Sequence, residues 1–216
     1  MSVSQRGGRT EWRQPRDRIV RILVNLLGAA GAALFAQASL QYYMHTHRLI
    51  GGVFFIEQAW FVLAFLIRRP PRAVSWHLGS WLLAAGGTFG GVLLRPDGAH
   101  PAWGVETGLG LQLTGLAIAI MSLLALGRSF GFVAADRGLV TRGPYAVVRH
   151  PVYAAYVLIQ SGYLVQSLSL WNVAVLLFAT GCNIGRSLAE ERVLAASSAY
   201  TAYRRQVRWR LLPGVW

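Results

Sequence analysis

Long apolar runs alternate with short polar connections along the chain. Uncharged runs cover 22–44, 73–94 and 107–127, and a fourth run, 49–67, is interrupted by Glu57. A helix of about 20 apolar residues is long enough to cross the hydrocarbon core of a bilayer. The pattern therefore predicts four membrane-spanning helices between residues 22 and 127.

The last part of the chain continues the apolar pattern and then changes character. The stretch 151–188 lacks acidic and basic residues until Arg186, which is enough for a hairpin of two short helices that turns at Gln166 to Ser169. In the segment from about 190 to 216, aromatic residues stand among arginines: Tyr200, Tyr203, Trp209 and Trp216. That mixture is typical of a segment that lies in the membrane interface. We therefore predict an all-α fold, a polytopic transmembrane helical bundle of about six spans (five to six) with a C-terminal cytoplasmic or interfacial helix.

Composition agrees with a membrane protein. The chain is 54% hydrophobic and only 13% charged, which excludes a disordered tail or an ordinary soluble domain. Its net charge of +13 does not indicate nucleic acid, because the arginines flank apolar runs instead of lining a solvated face. We expect membrane lipids to be the anionic partner. The single cysteine, Cys182, excludes a disulfide framework.

The arginines predict the orientation in the membrane, since cytoplasmic connections collect basic residues. With six spans, 19 of the 21 arginines fall on one side, and only Arg48 and Arg95 fall on the other. Both termini are then cytoplasmic, in the plasma or inner membrane if the source is bacterial. Ala36-Gln37-Ala38 resembles a signal-peptide cleavage site, but the long basic segment before the first run favours a retained helix. Glycines four apart, such as Gly104 and Gly108, predict close helix packing.

Polar residues crowd into two clusters, 137–153 and 186–213. Pro151 suits the first turn of the fifth helix, so Arg149 and His150 stand at the entrance of that helix. If the hairpin is tight, the sixth helix brings Glu190 and Glu191 toward His150. The clusters then predict one interfacial pocket that contains a histidine, two carboxylates and several arginines.

Simpler interpretations of the same residues remain open. Arg186 and Glu190 are four apart and are also spaced for a surface ion pair on a helix. Arg149 and His150 also suit interfacial anchors. A metal site is not predicted, because no His-x-x-His or Glu-x-x-His pairing accompanies the glutamates.

A joint motif carries a family resemblance. Gly143-Pro144-Tyr145-x3-Arg149-His150-Pro151-x-Tyr153 is followed about 40 residues later by Glu190-Glu191 and then by a Tyr-x-x-Tyr segment that ends near Pro213. This pattern resembles the isoprenylcysteine carboxyl methyltransferase and phospholipid methyltransferase superfamily. The resemblance covers about residues 137–213, whereas the first four spans match only in general character.

The resemblance implies an integral membrane methyltransferase that uses S-adenosylmethionine and a lipophilic acceptor from the bilayer. Together with the apolar runs and the arginine positions, the resemblance divides the chain into a basic cytoplasmic segment 1–21, four spans in 22–127 and a cofactor-binding catalytic region 128–216. The cofactor-binding residues that it implies are Gly143, Pro144, Tyr145, Arg149, His150, Pro151, Tyr153, Glu190 and Glu191. The catalytic residues that it implies are Arg186, Glu190 and Glu191.

The type of acceptor stays open at this point. Methyl transfer chiefly requires alignment and exclusion of water, so no covalent nucleophile is needed. A lipid amine first loses a proton, for which Glu190, Glu191 and His150 are the candidate bases. An Arg186 side chain directed at the acceptor favours an anion or a phosphate instead.

Glu57 stands alone as an acidic residue deep within a predicted span, which is a costly position for a charge unless it is paired, protonated or beside a cavity. Packing against Gln37, Gln41 or His77 is the structural alternative to substrate contact. Two other functions remain open: a membrane reductase of the steroid or sterol type that uses a nicotinamide, and a small transporter in which Glu57 lies on a polar path.

Overall fold

The computed structural model describes residues 15–47, 49–70, 73–74, 77–95, 98–99, 101–133 and 135–216. Most of the basic segment predicted for 1–21 lies outside these ranges. The described α-helices are α1 (Pro15–Thr46), α2 (Leu49–Ile67), α3 (Leu78–Phe89), α4 (Ala102–Leu126), α5 (Pro151–Gln166), α6 (Leu170–Leu194) and α7 (Ser198–Gln206). Short 3₁₀ helices occupy Gly90–Leu93, Gly127–Ser129 and Gly143–Ala146.

The described residues are helical apart from connections, one very small antiparallel strand pair and one isolated antiparallel bridge between Ala99 and Leu168. Strand β1 (Ala73–Val74) pairs with β2 (Ala135–Asp136), with Ala73 opposite Asp136. This pair ties the connection after α2 to the connection after α4. The all-α prediction is therefore confirmed at the level of secondary structure.

The predicted run 49–67 coincides with α2. The predicted span 73–94 is interrupted, because Ala73–Val74 form β1 and the α-helix within the run, α3, has only 12 residues. That is shorter than the roughly 20 helical residues that cross a bilayer. The α5–α6 hairpin also turns within the predicted segment, between Gln166 and Leu170. The second helix of the hairpin is longer than the predicted stretch 151–188 allows. Helix α6 is a single helix of 25 residues and ends at Leu194. Glu190 and Glu191 thus lie on the last turns of α6, and the predicted C-terminal helix is confined to α7.

Two described helices are long and apolar enough to cross a membrane by length and composition, Ile22–Thr46 and Ala102–Ser129; a shorter apolar helix covers Phe54–Ile67. Large apolar side chains are also exposed on the outside of the fold, including Leu27 and Leu34 of α1 and Leu177 of α6. A soluble monomer rarely exposes so much apolar surface in contiguous patches. These features support membrane association, and the six-span arrangement stays a prediction.

The helices pack in pairs, with α1 against α2, α3 against α6 and α4 against α5. The α4–α5 contact depends on glycine at the predicted packing position. A Cβ atom on Gly108 would overlap the carbonyl oxygen of Gly162, and a Cβ atom on Gly162 would lie 2.5 Å from the carbonyl oxygen of Gly108. The two backbones therefore touch, which fixes α5 relative to α4 and sets the position of the segment that leads into α5.

Substitution of Gly108 by alanine should destabilise the protein by about 1–3 kcal/mol, because the added methyl group overpacks this contact. Gly110 provides the matched control, since a Cβ atom there meets nothing within 4 Å. Gly110→Ala should be neutral or slightly stabilising, because alanine favours helix more than glycine does. Thermal unfolding in detergent compares the two variants. Equal midpoints would contradict this description of the packing.

Candidate active site

A cavity of about 610 Å³ opens among the connections and helix ends of the second half of the chain, and it extends to α1 and α2. This volume lies in the range of small-molecule sites. Its charged and polar wall includes Arg137, Arg149, His150, Tyr153, Arg186 and Glu190. Much of the remaining lining is aromatic, with Phe35, Phe54, Phe61, Phe89 and Phe132. The cavity therefore suits one or more ligands that together have charged and apolar parts.

The entrance of α5 is held by the C-terminal segment. Pro151 is the first residue of α5, a position where its missing N–H costs nothing. The two residues before it have their backbone N–H groups paired: Arg149 donates to the carbonyl oxygen of Trp209 at 2.9 Å, and His150 donates to that of Arg210 at 2.8 Å. The chain after α7 thus fixes the direction in which the His150 side chain leaves the backbone.

Glu191 is the centre of a buried ion cluster. Its Oε1 atom accepts hydrogen bonds from Arg149 Nε at 2.9 Å and from Arg210 Nε at 3.1 Å, and His150 Nε2 lies 3.3 Å away. Arg149 also donates from its Nη1 atom to the carbonyl oxygens of Val207 and Arg208. These partners join the entrance of α5, the end of α6 and the segment after α7. Glu191 does not line the cavity.

Glu190 is directed differently from its neighbour, because its side chain reaches the cavity wall. It accepts a hydrogen bond from the hydroxyl of Tyr153, and its Oε2 atom lies 3.6 Å from His150 Nδ1. The rings of His150 and Tyr153 stack with centroids 5.6 Å apart. His150 therefore bridges the two glutamates, with one ring nitrogen toward each.

Arg186 is buried beside these groups and makes no ion pair with Glu190 among the described contacts. Its guanidinium donates to the Thr88 hydroxyl at 2.9 Å and to the Phe132 carbonyl oxygen at 2.8 Å. It also lies over the Tyr153 ring, with Cζ 4.8 Å from the centroid. The interpretation of Arg186 and Glu190 as a surface ion pair is wrong for this structure.

In the Gly-Pro-Tyr motif, Gly143 and Pro144 shape a turn, and Tyr145 is part of the cavity wall. Gly143 has φ +61°, a left-handed conformation that favours glycine, and it opens the 3₁₀ turn that contains Pro144. Tyr145 lines the cavity, and its carbonyl oxygen accepts a hydrogen bond from the Tyr203 hydroxyl at 2.7 Å. Gly143, Pro144 and the buried Pro151 do not line the cavity and instead shape the backbone around it.

Glu57 is buried, with 3% of its surface exposed, and it lines the same cavity. Gln37, Gln41 and His77, the partners considered for it, are all exposed. Sequence reasoning left several other wall residues unassigned, among them Arg137 and Tyr156. Arg137 opens the first polar cluster, which is the one signal that pointed to it, whereas nothing in the local sequence distinguishes Tyr156 from a packing residue.

Electrostatics around His150 favour its charged form. Burial alone would lower the pKa of His150, but hydrogen bonds and charge from Glu190 and Glu191 outweigh burial and raise it above the ordinary value. Burial would raise the pKa of Glu191, but hydrogen bonds from His150, Arg210 and Arg149 hold it well below the ordinary range. The cluster therefore favours an imidazolium between two carboxylates.

Glu191→Gln should lower the free energy of unfolding by about 3 kcal/mol, because it leaves the buried Arg149 guanidinium without its counter-charge. Glu106→Gln is the matched control, since Glu106 is exposed on α4. Chemical denaturation in detergent measures both variants. A Glu191→Gln variant as stable as the control would show that the cluster does not hold these segments together.

The pKa shifts also predict how stability depends on pH. Since the pKa of His150 is raised in the folded protein, its contribution is complete below the ordinary value of 6.5 and is lost as pH rises through the folded pKa. Glu191 contributes above its ordinary value of 4.5, and that contribution is lost as pH falls through the folded pKa. Thermal midpoints measured from roughly pH 6 to 9 should decline for the wild type and decline less for His150→Gln. Parallel profiles would contradict the assignment.

Part of the chain that forms this site matches the model of a known protein family. Residues 103–200 match the model of the phospholipid methyltransferase family. The matched segment includes the Gly-Pro-Tyr turn, the entrance of α5 and both glutamates of α6. No curated protein matches the chain. The superfamily resemblance drawn from the motif is confirmed by this match.

Proposed function

Starting from the phospholipid methyltransferase match over residues 103–200, we propose that this protein is an integral membrane methyltransferase that uses S-adenosylmethionine and a lipophilic acceptor. One observation carries the proposal. The residues that form the polar wall within the matched segment line the same cavity as the aromatic residues of α1 and α2. A polar cofactor and an apolar acceptor are therefore accommodated side by side.

The polar wall has the chemistry that the cofactor requires. S-adenosylmethionine carries ribose hydroxyls, an ammonium and an adenine ring, and it supplies an electrophilic methyl group on a sulfonium. Glu190 presents a carboxylate to the cavity and accepts hydrogen bonds from hydroxyl or ammonium donors. Tyr145 and Tyr153 offer aromatic surface beside it. Glu191 holds Arg149 and His150 in place from behind the wall.

Apolar surface provides the place for the acceptor. Phe35, Phe54 and Phe61 of α1 and α2 line the cavity, and helix α1 also exposes large apolar side chains on its outer surface. An acceptor with a hydrocarbon tail therefore gains burial in the cavity and reaches it from the lipid phase. We propose that membrane lipids or lipophilic small molecules are the partners.

The proposed topology has six spans, in α1 to α6, with the 3₁₀ helix Gly90–Leu93 extending the third span. Helix α7 and the residues after it then lie at the cytoplasmic surface. The arginine distribution supports a cytoplasmic location for both termini, because cytoplasmic connections collect basic residues. His150, Glu190 and Glu191 lie outside the apolar stretch 151–188 and thus at the cytoplasmic boundary. A water-soluble cofactor then enters from the cytoplasm, while the acceptor enters from the bilayer.

The contribution of the protein to such a reaction is alignment and exclusion of water. Methyl transfer is an in-line displacement, so binding both reactants in a near-attack arrangement supplies much of the rate acceleration. Glu190, which is held in position by Tyr153 and His150, binds the cofactor. The aromatic lining keeps water away from the reacting centre.

Glu190→Gln should reduce methyl transfer by at least about tenfold, because a charged acceptor of hydrogen bonds is lost from the cavity wall. The assay incubates purified protein with methyl-labelled S-adenosylmethionine and a total lipid extract, and label is counted in the organic phase. Glu106→Gln, on the exposed face of α4, should retain wild-type activity.

Equal label with Glu190→Gln and wild type would contradict the role of Glu190. Absence of both label and cofactor binding in the wild type would overturn the proposed function. Saturable binding of a nicotinamide cofactor in its place would instead favour the reductase alternative.

A further inference from the structure

Arg137 is a buried cation in the cavity wall, and the part of the chain that the structure describes offers its side chain no hydrogen-bond or ion-pair partner. It follows β2 directly, exposes only 9% of its surface and lines the cavity. Its Nε atom is buried and has no hydrogen-bond partner. Within the described part of the chain, its guanidinium has neither a side-chain hydrogen bond nor an ion pair. A buried polar group in this state costs free energy unless a ligand satisfies it.

The local backbone leaves room for this guanidinium and engages the carboxylate of the preceding residue, Asp136. Gly131 leaves the space that the guanidinium occupies, since a Cβ atom there would overlap Arg137 Nη1. The Ser129 hydroxyl donates to the Arg137 carbonyl oxygen at 3.2 Å. The adjacent carboxylate of Asp136 accepts from the backbone N–H of Gly138 at 3.0 Å instead of pairing with Arg137.

The charges around Arg137 favour an anion. Burial and the neighbouring charge of Arg68 lower the pKa of Arg137 to about 10, with an opposing effect from Glu190, so Arg137 remains charged at neutral pH. Glu190 is already engaged by Tyr153 and His150. Among the described lining residues, cationic side chains outnumber carboxylates, with Arg137, Arg149, Arg186 and His150 against Glu57 and Glu190.

We propose that Arg137 binds an oxyanion, a carboxylate or a phosphate, of a ligand in the cavity. A guanidinium binds either group through two parallel N–H donors, which suits a side chain whose buried Nε has no hydrogen-bond partner among the described residues. This inference rests on the proposed function, which supplies two sources of the anion. One source is the carboxylate of the methionine part of the cofactor, and the other is a phosphate in the headgroup of the acceptor.

The first arm of the test isolates the carboxylate. S-adenosylhomocysteine carries the amino acid part of the cofactor, and 5′-methylthioadenosine lacks it. Calorimetry should find that Arg137→Gln binds S-adenosylhomocysteine about 10- to 100-fold more weakly than wild type, with unchanged affinity for 5′-methylthioadenosine, if the anion is the cofactor carboxylate. Arg142→Gln is the matched control, because Arg142 is exposed in the same connection and lies outside the cavity lining.

The second arm isolates the phosphate. Dodecyl phosphate in neutral dodecyl maltoside micelles is titrated with protein and followed by phosphorus NMR. If the anion belongs to the acceptor, Arg137→Gln should weaken binding of dodecyl phosphate by a similar factor and leave S-adenosylhomocysteine unaffected. Arg142→Gln should bind both probes as the wild type does.

Affinities of Arg137→Gln within twofold of the control for both probes would overturn the anion site. If the wild type binds dodecyl phosphate through Arg137 but binds no S-adenosylhomocysteine, the proposed function fails while the anion site stands. If the wild type binds neither probe, both fail. If Arg137→Gln does not fold, Arg137→Lys replaces it in the test. Lysine keeps the charge but lacks the planar pair of donors, so Arg137→Lys should bind the same probe severalfold more weakly than wild type. Unchanged affinity of Arg137→Lys would also overturn the proposal.

Discussion

The ion cluster around Glu191 is the contact on which the geometry of the site depends. One carboxylate, at the end of α6, is shared by Arg149 before α5, by His150 and by Arg210 after α7. Three segments that are distant in sequence meet at Glu191, which does not itself line the cavity. Because a buried charge is tolerated only with its partners in place, the cluster favours a single arrangement of these segments. This arrangement determines the orientation of the His150 ring and the position of the Glu190 carboxylate.

Two adjacent glutamates therefore have different positions in the site. Successive residues of an α-helix point about 100° apart, so Glu190 and Glu191 cannot share one environment. Glu191 is turned toward the arginines, and Glu190 is turned toward the cavity. His150 contacts both carboxylates, and its stacked neighbour Tyr153 donates to Glu190. The cluster and the cavity wall are thus joined through one imidazole ring, which makes His150 sensitive to both.

Much of this arrangement was predictable from local pattern. The run 49–67 gave the bounds of α2, and Pro151 together with the apolar stretch after it placed His150 near the glutamates. Sequence reasoning directed both glutamates to the cofactor and missed that Arg210 holds Glu191. It also did not assign Arg137 to the cavity. Pairings such as Arg210 with Glu191 depend on how α6 and the C-terminal segment pack, and neither hydrophobic periodicity nor motif spacing contains that information.

In the proposed function, the cofactor binds at the polar wall between the entrance of α5 and the end of α6. Irradiation of the protein with methyl-labelled S-adenosylmethionine, followed by peptide mapping, tests this claim directly, because cross-links form only with side chains in contact with the ligand. Label is expected within residues 137–156 and 186–203, and excess S-adenosylhomocysteine should compete with it. Competed label confined to residues before 127 would contradict it.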